Sequence, residues 1–229
     1  LKIYPSLVLE NTPLYDDYLE QKYKPYTDEE MLHVLTEAKK MVPKWVRIMR
    51  IQREITPGEI HAGPKMGNLR QIVHKRLKEE GFSCKCIRCR EAGLTRKYVP
   101  SEFLKLNREE YDSSGGREIF ISFDDKDETI YGFLRLRKPS ELSHRNEITQ
   151  NSCIVRELHV FGKSVKIGEH EENSIQHSGL GRRLMDEAEK ISREEFDVRK
   201  LLVISAVGTR EYYKKLGYSL DGPYMSKQL

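Results

Sequence analysis

The chain has 229 residues and a mass of 26.9 kDa, enough for one large domain or two small ones with a buried core. Its formal net charge of +4 and pI near 8.7 are a mild basic excess, short of what a chain that binds nucleic acid over its whole surface carries. Charged residues make up 33%, the mean hydropathy is -0.67 and no apolar run reaches about 18 residues, so a soluble, cytoplasmic chain with no membrane span, secretory signal or membrane partner is expected.

The chain begins at Leu1, inside an apolar run rather than at a methionine, and reads as a piece of a longer protein. Residues 1–9 read as a strand and residues 11–26 as a polar loop carrying tyrosines. Thr27-Asp28-Glu29-Glu30 is a capping box: Thr27 can accept from the third helical amide while Glu30 reaches back. The helix that follows has Met31, Leu32, Leu35, Ala38 and Met41 as its buried stripe, and Pro43 stops it. Residues 45–55 read as a second strand, Gly67-Asn68 opens a second helix to about residue 80, and Gly81 closes it. Strand-helix-strand-helix implies an α/β arrangement with parallel pairing.

Cys84-Lys85-Cys86-Ile87-Arg88-Cys89 places three thiols within six positions. Thiolates this close repel unless protonated or bound to a metal, and zinc takes tetrahedral sulfur and nitrogen ligands. A structural zinc on Cys84, Cys86 and Cys89 is the sharper reading, and three reduced thiols in a turn the plainer one. His74 is the first choice for a fourth ligand and His61 the next; Cys153, in a core strand, reads as a buried hydrophobe. Basic residues are densest here, at Arg70, Lys75, Arg76, Lys78, Lys85, Arg88, Arg90, Arg96 and Lys97, after Arg47, Arg50 and Arg53. Such clustering suits phosphate binding. Glu79, Glu80 and Glu91 keep an ordinary solvated face as the competing reading.

From about residue 94 the pattern changes. Residues 103–111, 118–123 and 129–136 read as an antiparallel meander with turns at 113–116 and 124–127, leading to a strand at 153–161. The charged stretch that follows, with Glu169, His170, Glu171 and Glu172, reads as a solvated loop rather than a metal site. Gln176-His177-Ser178-Gly179-Leu180-Gly181 then runs into an amphipathic helix whose apolar positions are Leu180, Leu184, Ala188 and Ile191. The first amides of a helix lack internal partners, and glycines let an anion approach the backbone, so a pyrophosphate fits there; an ordinary turn and cap is the alternative. A strongly apolar strand at 200–207 and a last helix beginning near Tyr212-Tyr213 complete the chain.

Strand, Q-x-x-G-x-G, helix, strand resembles the core of the acetyl-CoA-binding N-acetyltransferase (GNAT) superfamily. More narrowly, Val155-Arg156-Glu157-Leu158-His159-Val160, the Gln176 to Gly181 loop, the Gly208-Thr209-Arg210-Glu211-Tyr212-Tyr213 run and Asp221-Gly222-Pro223-Tyr224 resemble the acetyltransferase domain of the Elongator catalytic-subunit family. Lys2-Ile3-Tyr4-Pro5, Arg50-Ile51-Gln52-Arg53-Glu54-Ile55 and Gly67-Asn68-Leu69-Arg70 resemble the last units of that family's radical-SAM barrel. The resemblance implies an α/β (α+β) chain in three parts: a barrel remnant at 1–80, a zinc-binding cysteine linker at 81–93 and a GNAT domain at 94–229.

It implies acetyl-CoA bound along Glu157, Leu158, His159 and Val160, with Gln176, Gly179, Leu180, Gly181, Arg182 and Arg183 at the pyrophosphate. Tyr213 is the first choice and Tyr212 the second for a phenol that protonates the leaving thiolate. Glu157 is placed to polarise a nucleophile, unless it is tied to Arg156 or Lys200. The implied partners are tRNA, on Arg70, Lys75, Arg76, Lys85, Arg88 and Arg90, and Elongator-type subunits or a second copy of the chain. The family's iron-sulfur cysteines lie earlier in the barrel, so S-adenosylmethionine and a [4Fe-4S] cluster are expected only in the full-length protein. The implied activity is acetyl transfer in the carboxymethylation of C5 of a tRNA wobble uridine, with acetyl-CoA hydrolysis within reach of this piece. A histone-type lysine acetyltransferase and a non-catalytic tRNA-binding scaffold are the competing readings.

Overall fold

In the computed structural model, which describes residues 1–95, 99–161 and 179–229, the Thr27 capping box is formed. Thr27 Oγ1 accepts the Glu30 amide at 3.2 Å, and a Glu30 carboxylate oxygen accepts the Thr27 amide at 2.8 Å. The helix it starts, Asp28–Met41 (α2), packs on Leu69–Glu79 (α3). An earlier helix, Pro13–Leu19 (α1), lies in the stretch expected to be loop. Thr12 caps it and Pro13 takes a first-turn position where a missing N–H costs nothing, but none of its residues is buried, so it leaves no apolar period in the sequence.

The chain divides into two compact units, Leu1–Cys89 and Arg90–Leu229. In the first, Met31 and Leu35 of α2 join Ile48, Ile51, Leu69, Val73, Leu77, Cys84 and Cys86 in one apolar core. The cysteine segment, set apart as a linker in the sequence reading, supplies part of that core. Met41, expected on the buried stripe, is 76% exposed; Lys39 takes the place one turn after Leu35 and is fully buried.

Residues 45–55 form no strand. Arg50 alone makes an isolated parallel bridge, to Lys2, while Val8–Leu9 (β1) pairs antiparallel with Ile60–Ala62 (β2). The backbone of this segment is satisfied otherwise: Arg70 Nη2 donates to the carbonyls of Ile48 and Met49 at 2.9 and 3.1 Å, and the Ile87 amide donates to Val46 at 2.9 Å. Two short helices follow, Ile87–Arg90 (α4) and Ala92–Thr95 (α5).

The second unit is built on a seven-stranded mixed sheet. Lys105–Ser113 (β3), Gly116–Asp124 (β4), Ile130–Lys138 (β5) and Ser152–Val160 (β6) form an antiparallel meander. Lys200–Val203 (β7) joins β6 in parallel, and Tyr224–Gln228 (β9) and Ser219–Asp221 (β8) close the far edge, giving the order β3-β4-β5-β6-β7-β9-β8. The β3–β4 hairpin turns on Ser114 and Gly115, both at positive φ, the two-residue turn whose twist matches that of the strands.

The helix Leu180–Glu194 (α6) buries Leu180, Leu184, Met185, Ala188 and Ile191 against β4, β5, β6 and β7. The short helix Arg210–Lys215 (α7) precedes β8. Two buried carboxylates are paired. Glu118 accepts from Arg137 at 2.9 Å and Arg156 at 2.5 Å, and Glu189 accepts from the Tyr218 hydroxyl and Lys227, each at 2.9 Å. The packing sets an expected contrast in urea unfolding: Leu184→Ala lowers stability by about 2–5 kcal/mol, whereas Met41→Ala changes it by no more than about 0.5 kcal/mol.

Candidate functional site

The β6–β7 ladder is short. It runs from Ser152↔Lys200 to Val155↔Val203 and ends where the Ile204 amide donates to Val155 at 2.9 Å; among the described residues, 157–160 pair with β5 alone. A bulge at this point, with Glu157 opposite Arg135 but Val155 opposite Leu136, leaves Arg156 as an extra residue and bends β6 away. The C-terminal half of β6 therefore turns a row of backbone donors and acceptors toward the gap.

The N-terminus of α6 is glycine-built. Gly179 sits in the left-handed region at φ 72°, and the first helical bond runs from the Arg183 amide to the Gly179 carbonyl at 3.0 Å, so the amides of Leu180, Gly181 and Arg182 have no helical acceptor. Among the described residues no side chain caps this end, no acidic residue lies in its first turn, and Arg182 is exposed there. A cation in the first turn opposes the helix dipole, and a bound anion reverses that balance.

Gly181 is also a point of close approach. A Cβ on it would lie 2.8 Å from the Tyr212 hydroxyl and 3.7 Å from Val160 Cγ2, so α7, β6 and the start of α6 meet at this residue. The two tyrosines thereby separate. Tyr212 is 39% exposed with its hydroxyl at Gly181, whereas Tyr213 is 6% exposed, edge-on to Tyr212 and Tyr218, and burial pushes its phenol up to about 12. Burial, followed by the charge of Asp186, also raises Tyr212, so its phenol keeps its proton at neutral pH.

The remaining residues expected here have these partners. Glu157 is ion-paired with Arg135 at 2.9 Å rather than with Arg156 or Lys200, which go to Glu118 and Asp221. Arg135 also donates to the Tyr111 hydroxyl at 3.1 Å. His159 packs its ring against Phe133 and Phe161, and the Arg183 guanidinium lies 4.4 Å from the centre of the Phe123 ring. Gln176 falls outside the described residues, as do Arg96, Lys97, Glu169, His170, Glu171 and Glu172.

In the first unit the sulfurs of Cys84, Cys86 and Cys89 lie within 4.8 Å of one another, with Cys86 and Cys89 3.4 Å apart. His74, on α3, brings Nε2 to 3.4 Å from Cys89 Sγ. A tetrahedral ion with bonds of about 2.3 Å holds its sulfurs roughly 3.8 Å apart, a spacing that the three sulfurs approach, while His74 is near Cys89 alone among them. Contacts from Cys84 and then Cys89 pull the Cys86 thiol far down, while contacts from Cys84 and Cys86 push Cys89 up. Burial, then Lys39 and Arg70, lowers His74 and keeps its ring in the neutral form that ligates. His61 lies elsewhere, edge-on to Tyr15 and Tyr18 and 3.8 Å from Glu10. Cys153 is fully buried in β6, and burial pushes its thiol up to about 11.

Comparison with known proteins bears on both sites. Residues 1–79 match the Radical_SAM C-terminal domain family. All of this chain aligns, at 47% identity over 235 residues, with 43% of a protein of Methanocaldococcus jannaschii named tRNA uridine(34) acetyltransferase. It aligns equally completely, at 44% identity, with 42% of Elongator complex protein 3 of Dictyostelium discoideum. It also superposes over its full length, with a TM-score of 0.90 and 46% identity, on 55% of a solved archaeal structure, Methanocaldococcus infernus Elp3 carrying an N-terminal deletion. The chain belongs to the Elongator complex protein 3 family. It spans under half the length of the curated relatives it matches.

The cations that the family resemblance put forward for tRNA divide by environment. Arg90 is 7% exposed, donating to Asp124 at 3.2 Å and to the Glu128 carbonyl at 3.1 Å, so its charge is spent inside the second unit. Arg76 is held by Glu29 at 2.5 Å and Glu80 at 3.2 Å, and Arg70 by the two carbonyls already described. Lys75 and Lys85 are exposed and Arg88 half-buried. Arg50, Arg53, Lys65 and Arg70 line a cavity of about 420 Å³; the three arginines are among the basic residues picked out in the sequence, and Lys65 is not. No described helix is long and apolar enough to cross a membrane. If Arg90 is structural, Arg90→Ala costs about 3–5 kcal/mol in chemical unfolding, since it removes one partner of a buried ion pair. A loss below about 0.5 kcal/mol, usual for surface changes, would put the guanidinium in solvent.

Proposed function

We propose that this chain is the acetyl-CoA-handling part of an enzyme that modifies C5 of a tRNA wobble uridine, and that its second unit is a GNAT-type acetyltransferase domain. The observation that carries the reading is the meeting of three elements at Gly181: an uncapped helix start, a strand end released from its neighbour, and a phenol. Acetyl-CoA supplies an activated acetyl group when bound. Residues 157–160 offer backbone groups to an amide-bearing pantetheine arm, and the amides of Leu180, Gly181 and Arg182 take the pyrophosphate, with the Arg182 side chain adding charge. Arg183 is already engaged with Phe123 and acts by holding the helix on the sheet.

Tyr212, rather than Tyr213, is the phenol that protonates the leaving thiolate, because its hydroxyl lies at Gly181 while Tyr213 is packed away. Glu157, held by Arg135, orients groups at the acyl carbon and serves less well as a free base. tRNA binds over Lys75, Lys85, Arg88 and the arginine-lined cavity. The radical step, with S-adenosylmethionine and an iron-sulfur cluster, belongs to the full-length family protein; the cysteines here suit a single structural ion instead. That ion is zinc on Cys84, Cys86, Cys89 and His74, and Elongator-type partner subunits or a second copy of the chain complete the assembly. A lysine acetyltransferase has no observation of its own in its favour.

Thiol release from acetyl-CoA, measured with and without tRNA, tests the activity. Tyr212→Phe is expected to lower the tRNA-stimulated rate by about 100-fold, within the range of a general acid, with Tyr213→Phe affecting chiefly stability. Gly181→Glu is expected to abolish acetyl-CoA binding in calorimetry in a folded chain. An unchanged rate in Tyr212→Phe would remove the assignment of the phenol, and unchanged affinity in Gly181→Glu would remove the site. Elemental analysis of protein prepared without chelators is expected to give about one zinc per chain, lost in Cys86→Ser and retained in His61→Ala.

A further inference from the structure

Lys39 has no role in any of this, yet it is fully buried in the first unit. Its ammonium lies 3.6 Å from Cys89 Sγ, and among the described residues no carboxylate reaches it. A buried ammonium whose one hydrogen bond goes to a sulfur is unfavourable, because sulfur returns little of the lost hydration. The arrangement becomes favourable if the sulfur is a thiolate in a centre of net negative charge. Three thiolates, a neutral imidazole and a divalent cation sum to one negative charge, and Lys39 brings the total to zero.

We infer that Lys39 is the built-in counter-cation of the Cys84–Cys86–Cys89–His74 centre: it donates an N–H to the Cys89 sulfur, tightens metal binding and lowers the nucleophilicity of that thiolate. The inference rests on the metal reading above and adds a residue to it. α2 makes the placement possible, since Met31, Leu35 and Lys39 recur every four residues on one face and the third of them reaches the cysteines past the apolar first two. In the metal-free chain the same ammonium is a liability, and this separates the inference from simple packing.

The test uses the whole chain, wild type and Lys39→Met, with Lys39→Gln as a second variant that keeps an N–H donor without the charge. Zinc affinity is measured by chelator competition, and unfolding midpoints are measured with and without metal. Lys39→Met is expected to weaken zinc binding by roughly 10- to 100-fold, as loss of a group supporting a metal ligand does, while raising the midpoint of the metal-free chain; Lys39→Gln falls between the two in affinity. In the cobalt(II)-substituted protein the sulfur-to-metal charge-transfer band moves to lower energy in Lys39→Met, and alkylation of the loaded centre becomes faster. Equal zinc affinity in wild type and variant overturns the inference, as does a parallel loss of stability with and without metal. A wild-type chain that binds no zinc overturns the metal reading first and this one with it.

Discussion

Four residue pairs of parallel ladder, between β6 and β7, govern the second unit. As long as they hold, β6 is an interior strand with both edges satisfied; one residue past Val155 it keeps, among the described residues, a partner on one side only. Everything that marks the candidate site follows from that change. The bulge at Arg156 bends the strand, α6 starts against its free end, and the turn into α7 brings Tyr212 back over the same point. A parallel pair does not need to continue for the sheet to be stable, because β9 and β5 hold β7 and β6 from outside, so the gap costs little and leaves polar backbone open to a ligand.

The first unit solves a different problem. Its sheet is only two short strands, and its core is a set of residues from α2, α3 and the cysteine segment. The thiols therefore sit at the core, and the ion proposed for them would tie α3, through His74, to the turn that carries the three cysteines. A small unit with little sheet gains most from such a cross-link.

Much of this was readable in the residues. The alternating strands of the meander, the Thr27 capping box and the glycine-started helix each carry a local signal that tertiary packing did not override. Residues 45–55 looked like a strand because they are apolar at intervals, but the carbonyls of Ile48 and Met49 are taken by Arg70, a side chain whose reach no local pattern encodes. α1 was invisible because it buries nothing. Lys39 was missed for the opposite reason: a lysine reads as solvent-facing even when it occupies a core position of its helix, and the four-residue spacing from Met31 and Leu35 was the signal that pointed to it. The choice between Tyr212 and Tyr213 lay beyond sequence, since neighbours on a helix point about 100° apart and only the rotation of α7 decides which faces the site. The same holds for Glu157, whose partner across the strand pair depends on a register that the Arg156 bulge sets.

Glu189 accepts from Tyr218 and Lys227, and this fixes more than one carboxylate. It sits eight residues beyond Gly181, roughly 12 Å along the helix axis at 1.5 Å per residue. A helix clamped at that distance can neither roll about its axis nor slip by a residue without breaking three bonds at once. The clamp acts as a keyway: the aim of the three leading amides is decided two turns away, by groups that never approach them, and substitutions at Tyr218 or Lys227 would be felt at the helix tip as misdirection rather than as lost contact.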